Sequence, residues 1–197
     1  MKPVITGEHP LILASASRYR AELLARLGVP FRAQAPKVVE TALPGELPLQ
    51  LAQRLANSKA QLVSQLNPGH WVLGSDQVAS LDGTAIGKPG TREAAIAQLT
   101  SFSNRSVTFH TAVALVSGED CHTALDTTLV RFRPLRPAEI ERYVDLEPAF
   151  DCAGSFKAEG RGIALFSAIE SKDPTGLIGL PLIAVRALLS QVGCRVP

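Results

Sequence analysis

Two carboxylates and a set of cationic side chains could do chemistry in this sequence. Asp76 follows the apolar residues 71–74 and lies between Ser75 and Gln77, a place where carboxylates do not accumulate for stability. Partial burial there would raise the pKa of Asp76 and make it a plausible base, whereas a neighbouring cation would lower that pKa again. A turn-forming aspartate is the alternative for Asp76 taken alone. Glu40 is the second carboxylate suited to a hard cation, because Mg²⁺ usually takes one or two protein carboxylates and completes its shell with water and phosphate.

A polyanion is the ligand that the cationic residues would suit. Residues 15–20, Ser-Ala-Ser-Arg-Tyr-Arg, combine hydroxyls, two guanidinium groups and the free backbone N–H groups of a predicted helix start, which together suit phosphate oxygens. An ordinary serine N-cap followed by surface arginines is the alternative. Lys88 lies between Gly87 and Pro89, which fix the backbone and indicate that the position of its ammonium group matters. Lys59, within a predicted helix, is by itself more typical of a solvated surface charge.

Several other kinds of site are disfavoured by the residue pattern. The four histidines have no metal-ligand spacing, so a zinc site is not expected. The sequence lacks both the Gly-x-Ser-x-Gly elbow of many hydrolases and the phosphate-binding loop of kinases and ATPases. Its three cysteines are odd in number and far apart, which fits reduced thiols better than a disulfide framework.

The composition is typical of one globular domain. With 197 residues, 46% of them hydrophobic, the chain can bury a substantial core around an internal cleft. We therefore predict a single domain over residues 1–197, with two small lobes around one cleft as the alternative. The 20 basic and 18 acidic residues are interspersed and aromatic content is 5%, so no nucleic-acid partner is expected. No signal-peptide core is present and no segment approaches the ~20 apolar residues that cross a bilayer, so we expect a cytoplasmic protein without a membrane partner.

The elements that must position these residues alternate between strands and helices. The predicted strands are residues 11–14, 31–35, 71–74, 106–116, 122–132 and 163–169. The predicted helices follow Ser17, span residues 49–66 and 92–99, and begin at Pro137 and Pro181. Hairpins signalled by Asp82-Gly83 and by residues 117–120 require antiparallel pairs, so we predict an α/β fold with a central mixed β-sheet flanked by helices. Ligands of such sheets collect in a crevice beyond the strand ends, where residues 15–17 and Asp76 are expected to lie.

Taken together, several segments resemble the Maf family of nucleotide pyrophosphatases. Each segment is weak alone, but their order and spacing make the joint match specific, and it runs from Leu11 almost to the C-terminus. The matching segments are residues 13–17 with Arg20, 40–41, 59–60, 74–77, 87–89, 152–160, 173–174 and 179–181. The fold that this resemblance implies is an α/β structure of the Maf and ITPase type, with a deep substrate cleft.

The resemblance also implies roles for individual residues. The acid of the family's Gly-Ser/Ala-Asp motif is the proton acceptor, a role that falls here on Asp76. Phosphate-binding roles fall on Ser15, Arg20, Lys59 and Lys88. Three positions depart from the usual pattern, because Arg18 stands where Pro is common, Ala21 where a second Arg is common, and Val39 where an Asp often precedes the Glu.

One branch of the family is matched more closely than another. Gln77 beside the acid and the run 152–160, Cys-Ala-Gly-Ser-Phe-Lys-Ala-Glu-Gly, are similar to the 7-methyl-GTP pyrophosphatases. The dTTP/UTP branch typically carries Thr and Gln at positions 77 and 159. Methylation at N7 leaves a delocalised positive charge on the purine, which the aromatic face of Tyr19 and the carboxylate of Glu159 would recognise. The discriminating positions are thus Tyr19, Gln77 and Glu159.

These observations predict an enzyme that hydrolyses a nucleoside triphosphate to the monophosphate and pyrophosphate, a house-cleaning activity in the nucleotide pool. We expect Glu40 and Asp76 to hold a divalent cation, Mg²⁺ or Mn²⁺, and Asp76 also to orient or deprotonate the attacking water. The small-molecule nucleotide is the expected partner, and a homodimer is left open. A dTTP/UTP pyrophosphatase of the same family is one alternative. The other is a non-catalytic nucleotide-binding regulator, which the family's association with septum formation suggests. Both hypotheses need the phosphate site, but only the enzyme needs Asp76.

Overall fold

The computed structural model describes residues 3–196, which form one mixed seven-stranded sheet with helices on its faces. The strands are β1 (Leu11–Ala14), β2 (Phe31–Ala33), β3 (Val72–Leu81), β4 (Thr84–Ile86), β5 (Ser106–Ser117), β6 (Asp120–Phe132) and β7 (Phe166–Glu170). The α-helices are α1 (Arg18–Ala25), α2 (Pro48–Leu66), α3 (Arg92–Phe102), α4 (Pro137–Leu146) and α5 (Leu182–Gln191), and a 3₁₀ helix covers Arg161–Leu165. Within the described residues, no helix combines the length and the apolar composition that crossing a bilayer requires.

The strand order is β2-β1-β3-β5-β6-β7, with β4 paired to β3. Strand β1 runs parallel to both of its neighbours, β2 and β3, whereas the other pairs are antiparallel. The parallel pairs need crossover connections, which α1 and α2 supply, and the antiparallel pairs include the two predicted hairpins. The predicted α/β class with a mixed sheet is therefore confirmed.

The core lies on both faces of the central strands. Successive side chains of a strand point to opposite faces, so Leu11 and Leu13 of β1 pack with α1 and α5, whereas Ile12 and Ala14 pack with α2. Every residue of β1 is fully buried, which explains its unbroken apolar run. A separate cluster joins the distal parts of β3, β5 and β6 to α3, α4 and Phe156.

Strand β3 differs from its prediction in a way that matters for the site. Pairing with β5 continues to Ser80 and pairing with β4 to Leu81, so Asp76 lies within a ten-residue strand and not where a strand ends. Along its other edge, β3 pairs with β1 only as far as Gly74 and with β4 only from Ala79. Asp76 therefore lies in a gap along that edge, next to the end of β1, because β1 turns away into the start of α1.

A second difference concerns the strand predicted over residues 163–169. Its first residues form the end of the 3₁₀ helix, and β7 begins only at Phe166 and continues to Glu170. The amide of Gly162 donates to the Glu147 carboxylate at 3.1 Å, so a side chain outside the sheet holds the backbone in the turn. Apolar composition alone could not distinguish this turn from a strand.

Candidate active site

A cavity of about 490 Å³ opens beside the gap in β3. It is lined by the end of β1, the turn into α1, and the loops 151–159 and 177–179. Eight of the nine predicted site residues line this cavity, namely Ser15, Tyr19, Arg20, Glu40, Lys59, Gln77, Lys88 and Glu159. Asp76, the ninth, is buried behind the lining and contacts it through Lys59. The predicted residues are thus brought together, while their individual roles stay predictions.

Glu40, Lys59 and Asp76 form a group that we call the carboxylate–lysine centre. The Lys59 Nζ atom lies 2.6 Å from Asp76 Oδ1 and 2.6 Å from Glu40 Oε1. The Lys59 and Asp76 side chains are 7% and 9% exposed, whereas the Glu40 side chain is 51% exposed. Lys59, which looks like a surface charge by sequence alone, is a buried cation held between two carboxylates.

Helix α2 can deliver Lys59 to Asp76 because β3 carries a glycine where the two elements meet. A Cβ atom added to Gly74 would lie 2.2 Å from the Ala56 carbonyl oxygen and 2.8 Å from the Ala60 nitrogen. Both are backbone atoms of a packed helix and cannot give way cheaply. The Gly-Ser-Asp-Gln segment therefore starts with glycine for a steric reason: only glycine permits this close approach.

The two carboxylates differ in their electrostatics. Burial raises the pKa of Asp76, and the opposing effects of Lys59 and Arg20 do not cancel it. Burial also acts on Glu40, but its hydrogen bond with Lys59 and the charges of Lys59, Lys88 and Arg20 outweigh that effect and lower its pKa. Asp76 is consequently the carboxylate better suited to accept a proton, and Glu40 is the one better suited to stay ionised.

Arg20 is fixed by the backbone of a distant loop. Its Nε donates to the Gly179 carbonyl oxygen at 2.9 Å, and the Ser75 hydroxyl donates to the same oxygen at 3.0 Å. Burial lowers the pKa of Arg20, against the effect of the Asp76 and Glu40 charges. No described residue accepts a hydrogen bond from the Arg20 Nη atoms. The N–H groups of these two atoms are therefore available to donate to an anion in the cavity.

The sequence predicts either a phosphate-binding turn or an ordinary helix cap for the serines between β1 and α1, and the structure is compatible with both. The Ser17 hydroxyl accepts from the Arg20 amide at 3.4 Å and is the N-cap of α1. Ser15 is buried, and its hydroxyl accepts from the Ser17 amide at 3.1 Å. Because both residues line the cavity, an ordinary helix cap also forms part of the site.

Gln77 has a fixed side-chain orientation. Its Nε2 donates to the carbonyl oxygens of Gly176 at 2.9 Å and Leu177 at 3.0 Å, and to the Thr111 hydroxyl at 3.0 Å. Three acceptors around the nitrogen settle which end of the amide is which. No described residue donates to Oε1, so Gln77 brings a hydrogen-bond acceptor to the cavity.

The carbonyl oxygens that accept from Gln77, Arg20 and Ser75 belong to loop 173–181. This loop is held by Asp173, a residue for which the sequence predicted no role. Asp173 is 3% exposed; its Oδ2 accepts from the Ile183 amide at 2.7 Å, and its Oδ1 accepts from the Thr175 hydroxyl at 2.6 Å. The Thr175 hydroxyl in turn accepts from the Leu182 amide at 2.8 Å, so both residues satisfy the start of α5. The Asp-Pro pair among the matching segments was the available signal for this role.

Loop 157–162 is held by a second network that the sequence did not reveal. The Glu147 carboxylate accepts from the amides of Arg161 and Gly162 and from the Tyr143 hydroxyl, at 3.1–3.2 Å. The Tyr143 hydroxyl in turn accepts from the Lys157 amide at 3.1 Å. Glu159 lies in this loop and is exposed at the cavity.

Tyr19 is surrounded by positive charge. The Arg18 guanidinium carbon lies 4.9 Å from the centre of the Tyr19 ring, and the Lys157 Nζ lies 5.9 Å from it. Arg18 also donates to the Tyr19 hydroxyl at 3.1 Å. Arg18, one of the departures from the family pattern, thus contacts Tyr19 through both its charge and a hydrogen bond. Val39, another departure, is 79% exposed.

Two carboxylates converge at the carboxylate–lysine centre, which is the donor set that a hard cation needs when phosphate supplies the remaining ligands. Oδ2 of Asp76 and Oε2 of Glu40 accept no hydrogen bond from the described residues and are available as oxygen ligands. Over residues 3–196, no group of three or more His, Cys, Asp or Glu side chains could hold a metal by itself. The residues therefore fit Mg²⁺ or Mn²⁺ bound jointly with a nucleotide.

Comparison with known proteins identifies the family of this chain. The model of the family described as Maf-like protein matches residues 10–192. A protein of Xanthomonas oryzae pv. oryzae named 7-methyl-GTP pyrophosphatase is 59% identical over 95% of this chain and 98% of its own length. A protein of Bordetella pertussis with the same name is 53% identical over 93% and 92% of the two chains. Among solved structures, the Staphylococcus aureus Ham1 protein has a TM-score of 0.42 and 15% identity, covering 62% of this chain and 71% of that one. The chain belongs to the Maf-like protein family.

Proposed function

We propose that this protein is a nucleoside triphosphate pyrophosphatase that converts 7-methyl-GTP to the nucleoside monophosphate and pyrophosphate. The observation that carries the proposal is the carboxylate–lysine centre, in which a buried carboxylate of raised pKa contacts a cation beside a cavity. Hydrolysis of a polyanion needs a base close to fixed positive charge, since charge develops on the phosphates as the bond breaks. Relatives that are 53% and 59% identical to this chain over the aligned residues are named for the same reaction.

In the proposed reaction, Asp76 accepts a proton from the attacking water. The water oxygen forms a bond to the α-phosphorus, and the bond from that phosphorus to the oxygen bridging to the β-phosphate breaks. Pyrophosphate leaves with the electron pair of the broken bond. Lys59, Lys88 and Arg20 stabilise the negative charge that grows on the leaving group, where positioned cations contribute most.

Glu40 and Asp76 would hold the divalent cation, Mg²⁺ or Mn²⁺, through their oxygens that no described residue occupies. When bound, it would supply neutralisation of charge on the phosphate oxygens. Glu40 keeps its charge over the whole neutral range, because its pKa is lowered. Asp76 can therefore serve as the base while Glu40 carries most of the ionic attraction.

Recognition of the base is assigned to Gln77 and Glu159. Guanine presents N–H donors on its pairing edge, and Gln77 Oε1 is a fixed acceptor because its amide nitrogen is held by three partners. Glu159 supplies a negative charge for the methylated, positively charged purine. A site with fixed acceptors discriminates against bases that leave those acceptors unpaired.

The cytoplasmic location and the absence of a nucleic-acid partner, both expected from the sequence, stay predictions.

The test is to incubate the protein with Mg²⁺ or Mn²⁺ and a panel of 7-methyl-GTP, GTP, dTTP and UTP, and to measure the pyrophosphate released. We expect the highest kcat/KM for 7-methyl-GTP. A preference for dTTP or UTP would contradict the assignment of the base but keep the reaction. Tight nucleotide binding with no pyrophosphate from any of the four would favour the non-catalytic regulator instead.

A further inference from the structure

Gln98 of α3 connects two segments of the chain that line the cavity, although Gln98 itself is not among the described residues of the lining. Its Nε2 donates to the Gly87 carbonyl oxygen at 2.9 Å, and its Oε1 accepts from the Ser155 hydroxyl at 2.6 Å. A carbonyl oxygen can only accept, so these partners identify which end of the amide is nitrogen. The Gln98 amide therefore bridges two residues that lie far apart in the chain.

One end of the bridge is the segment that carries Lys88, a cation in the lining of the cavity. Residues 87–90 form no helix or strand, and Gly87 is the residue type with the greatest backbone freedom. The segment therefore needs partners from outside to keep one conformation. Gln98 supplies one of them, and the Gly90 amide supplies another by donating to the Phe150 carbonyl oxygen at 3.1 Å.

The other end of the bridge is Ser155, which is 1% exposed and has a φ of +62°. Residues other than glycine rarely adopt this left-handed conformation, and it persists only where the surroundings hold it. Both neighbours are packed, because a Cβ atom added to Gly154 would lie 2.9 Å from Phe109 Cζ and the Phe156 ring centre lies 5.4 Å from that of Phe109. The Ser155 hydroxyl is thus a fixed point to which Gln98 is attached.

The hydroxyl side chains of α3 differ from Gln98 in their partners. Thr100 and Ser101 donate to carbonyl oxygens of the helix itself, both at 2.7 Å, and so serve only the helix. Gln98 forms its two bonds outside the helix, to segments on either side of the cavity lining. The helix is a firm support for this purpose, because it is anchored in the core by Ala95, Leu99 and Phe102.

We infer that Gln98 is a positioning residue that fixes the location of Lys88 relative to the loop 151–159. This inference rests on the proposed function, in which Lys88 stabilises the leaving pyrophosphate and Glu159 supplies charge for the purine. Gln98 acts through the Gly87 carbonyl, next to Lys88, and through the Ser155 hydroxyl. A cation stabilises a transition state best when its position is set before the reaction. The phosphate side and the base side of the site are thus held at a constant separation.

The test is a double-mutant cycle with inorganic tripolyphosphate, which reports on the phosphate side alone. Gln98→Met removes both hydrogen bonds with little change in shape, and we expect the calorimetric Kd of tripolyphosphate to rise about fivefold. In the Lys88→Ala background the same change should alter Kd by less than about twofold, because Gln98 acts through Lys88. Gln65→Met, at an exposed position of α2, is the control and should have no effect. An equal loss of affinity in the two backgrounds would overturn the inference.

Ser155→Ala separates the two ends of the bridge, because it removes the bond to the loop and keeps the bond to Gly87. We expect the Kd of tripolyphosphate to stay at the wild-type value and KM for 7-methyl-GTP to rise about threefold with kcat unchanged. A loss of tripolyphosphate affinity as large as that of Gln98→Met would overturn the inference. If the wild-type protein released no pyrophosphate, the proposed function would fail by itself. The tripolyphosphate cycle needs no turnover and would still decide the role of Gln98.

Discussion

The carboxylate–lysine centre and the 157–162 loop are built in opposite ways. Two residues of the centre, Lys59 and Asp76, are buried on regular elements, a helix and a strand that touch through Gly74. The loop has almost no regular structure before its 3₁₀ helix, and Glu159 within it is exposed. It keeps its shape through hydrogen bonds to Glu147 and Tyr143 on and just after α4.

This difference suits the carboxylate–lysine centre to the chemical step and the 157–162 loop to the choice of substrate. A base and its cation must keep their relative positions within a fraction of an ångström, which packed elements provide. A surface that discriminates between bases can lie on a loop, since loops change in sequence without disturbing the core. We therefore expect damage to the centre to affect kcat and stability, and damage to the loop to affect KM.

The largest expected effect comes from Asp76→Asn, which removes the base from the centre with almost no change in shape. We expect kcat to fall ~10²–10⁴-fold, the usual contribution of a positioned general base. Nucleotide affinity, measured by calorimetry, should change little. Asp145→Asn, on the exposed surface of α4, is the control and should keep full activity. A kcat above roughly a tenth of wild type would exclude Asp76 as the essential base.

Lys59→Met tests the centre through stability. Without the ammonium group, Asp76 and Glu40 face each other uncompensated, and we expect a loss of about 3 kcal/mol, near the low end for a broken buried ion pair because Glu40 is half exposed. Added Mn²⁺ should raise the Tm of the variant more than that of the wild type, because the ion replaces the missing cation. Thermal unfolding with and without Mn²⁺, and with EDTA to remove it, measures both effects. Equal shifts in the two proteins would show that the ion binds elsewhere.

Glu147→Ala tests the loop. The amides of Arg161 and Gly162 and the Tyr143 hydroxyl would lose their acceptor. A buried donor without an acceptor costs ~1–3 kcal/mol, so the loop should shift to find new partners and move Glu159 with it. We therefore expect KM for 7-methyl-GTP to rise about tenfold. The value of kcat should stay unchanged. Glu141→Ala, on the exposed face of α4, is the control, and a parallel fall in kcat would mean that loop and centre are coupled.

The smallest expected effect is on the pH dependence of kcat/KM, which reports on the carboxylate–lysine centre and not on the 157–162 loop. Burial raises the pKa of Asp76 above its ordinary value of 3.8, and only the ionised form can accept a proton. Activity is therefore lost as the pH falls through this raised pKa, at a higher pH than for an exposed aspartate. Lys59→Met should move the acidic limb to still higher pH, because Lys59 lowers the pKa of Asp76. A limb that moves to lower pH would assign it to another group.

Much of the fold could be predicted from the sequence because its signals are local. The periodic apolar residues of α2, the turn at Asp82-Gly83 and the hairpin around residues 117–120 are confirmed. The prediction that Asp76 lies at a strand end is wrong, because its flanking polar residues resemble a turn. Pairing with β5 is a long-range contact that carries β3 past these residues, and no local pattern reports it.

The site shows the same division. Motif resemblance indicated which residues meet, but Lys59 alone looked like a surface charge, because burial depends on the approach of α2 to Gly74. Glu147 and Tyr143 carry no motif and act through backbone amides 14–15 residues away in the chain. Supporting networks of this kind follow from the fold and cannot be predicted before it is known.

The gap along β3 has a consequence for how the molecule opens. Residues 75–78 lack a strand partner on one edge, yet the other edge is paired with β5 without interruption from Val72 to Ser80. At Asp76 one edge of β3 is thus open, while the backbone of this residue belongs to the middle of the sheet. Such a residue is freed only when a large cooperative unit unfolds, whereas a loop can open by itself. In amide hydrogen exchange, those amides of residues 75–78 that donate to β5 should exchange at the rate of global unfolding, and the amides around Glu159 should exchange far earlier.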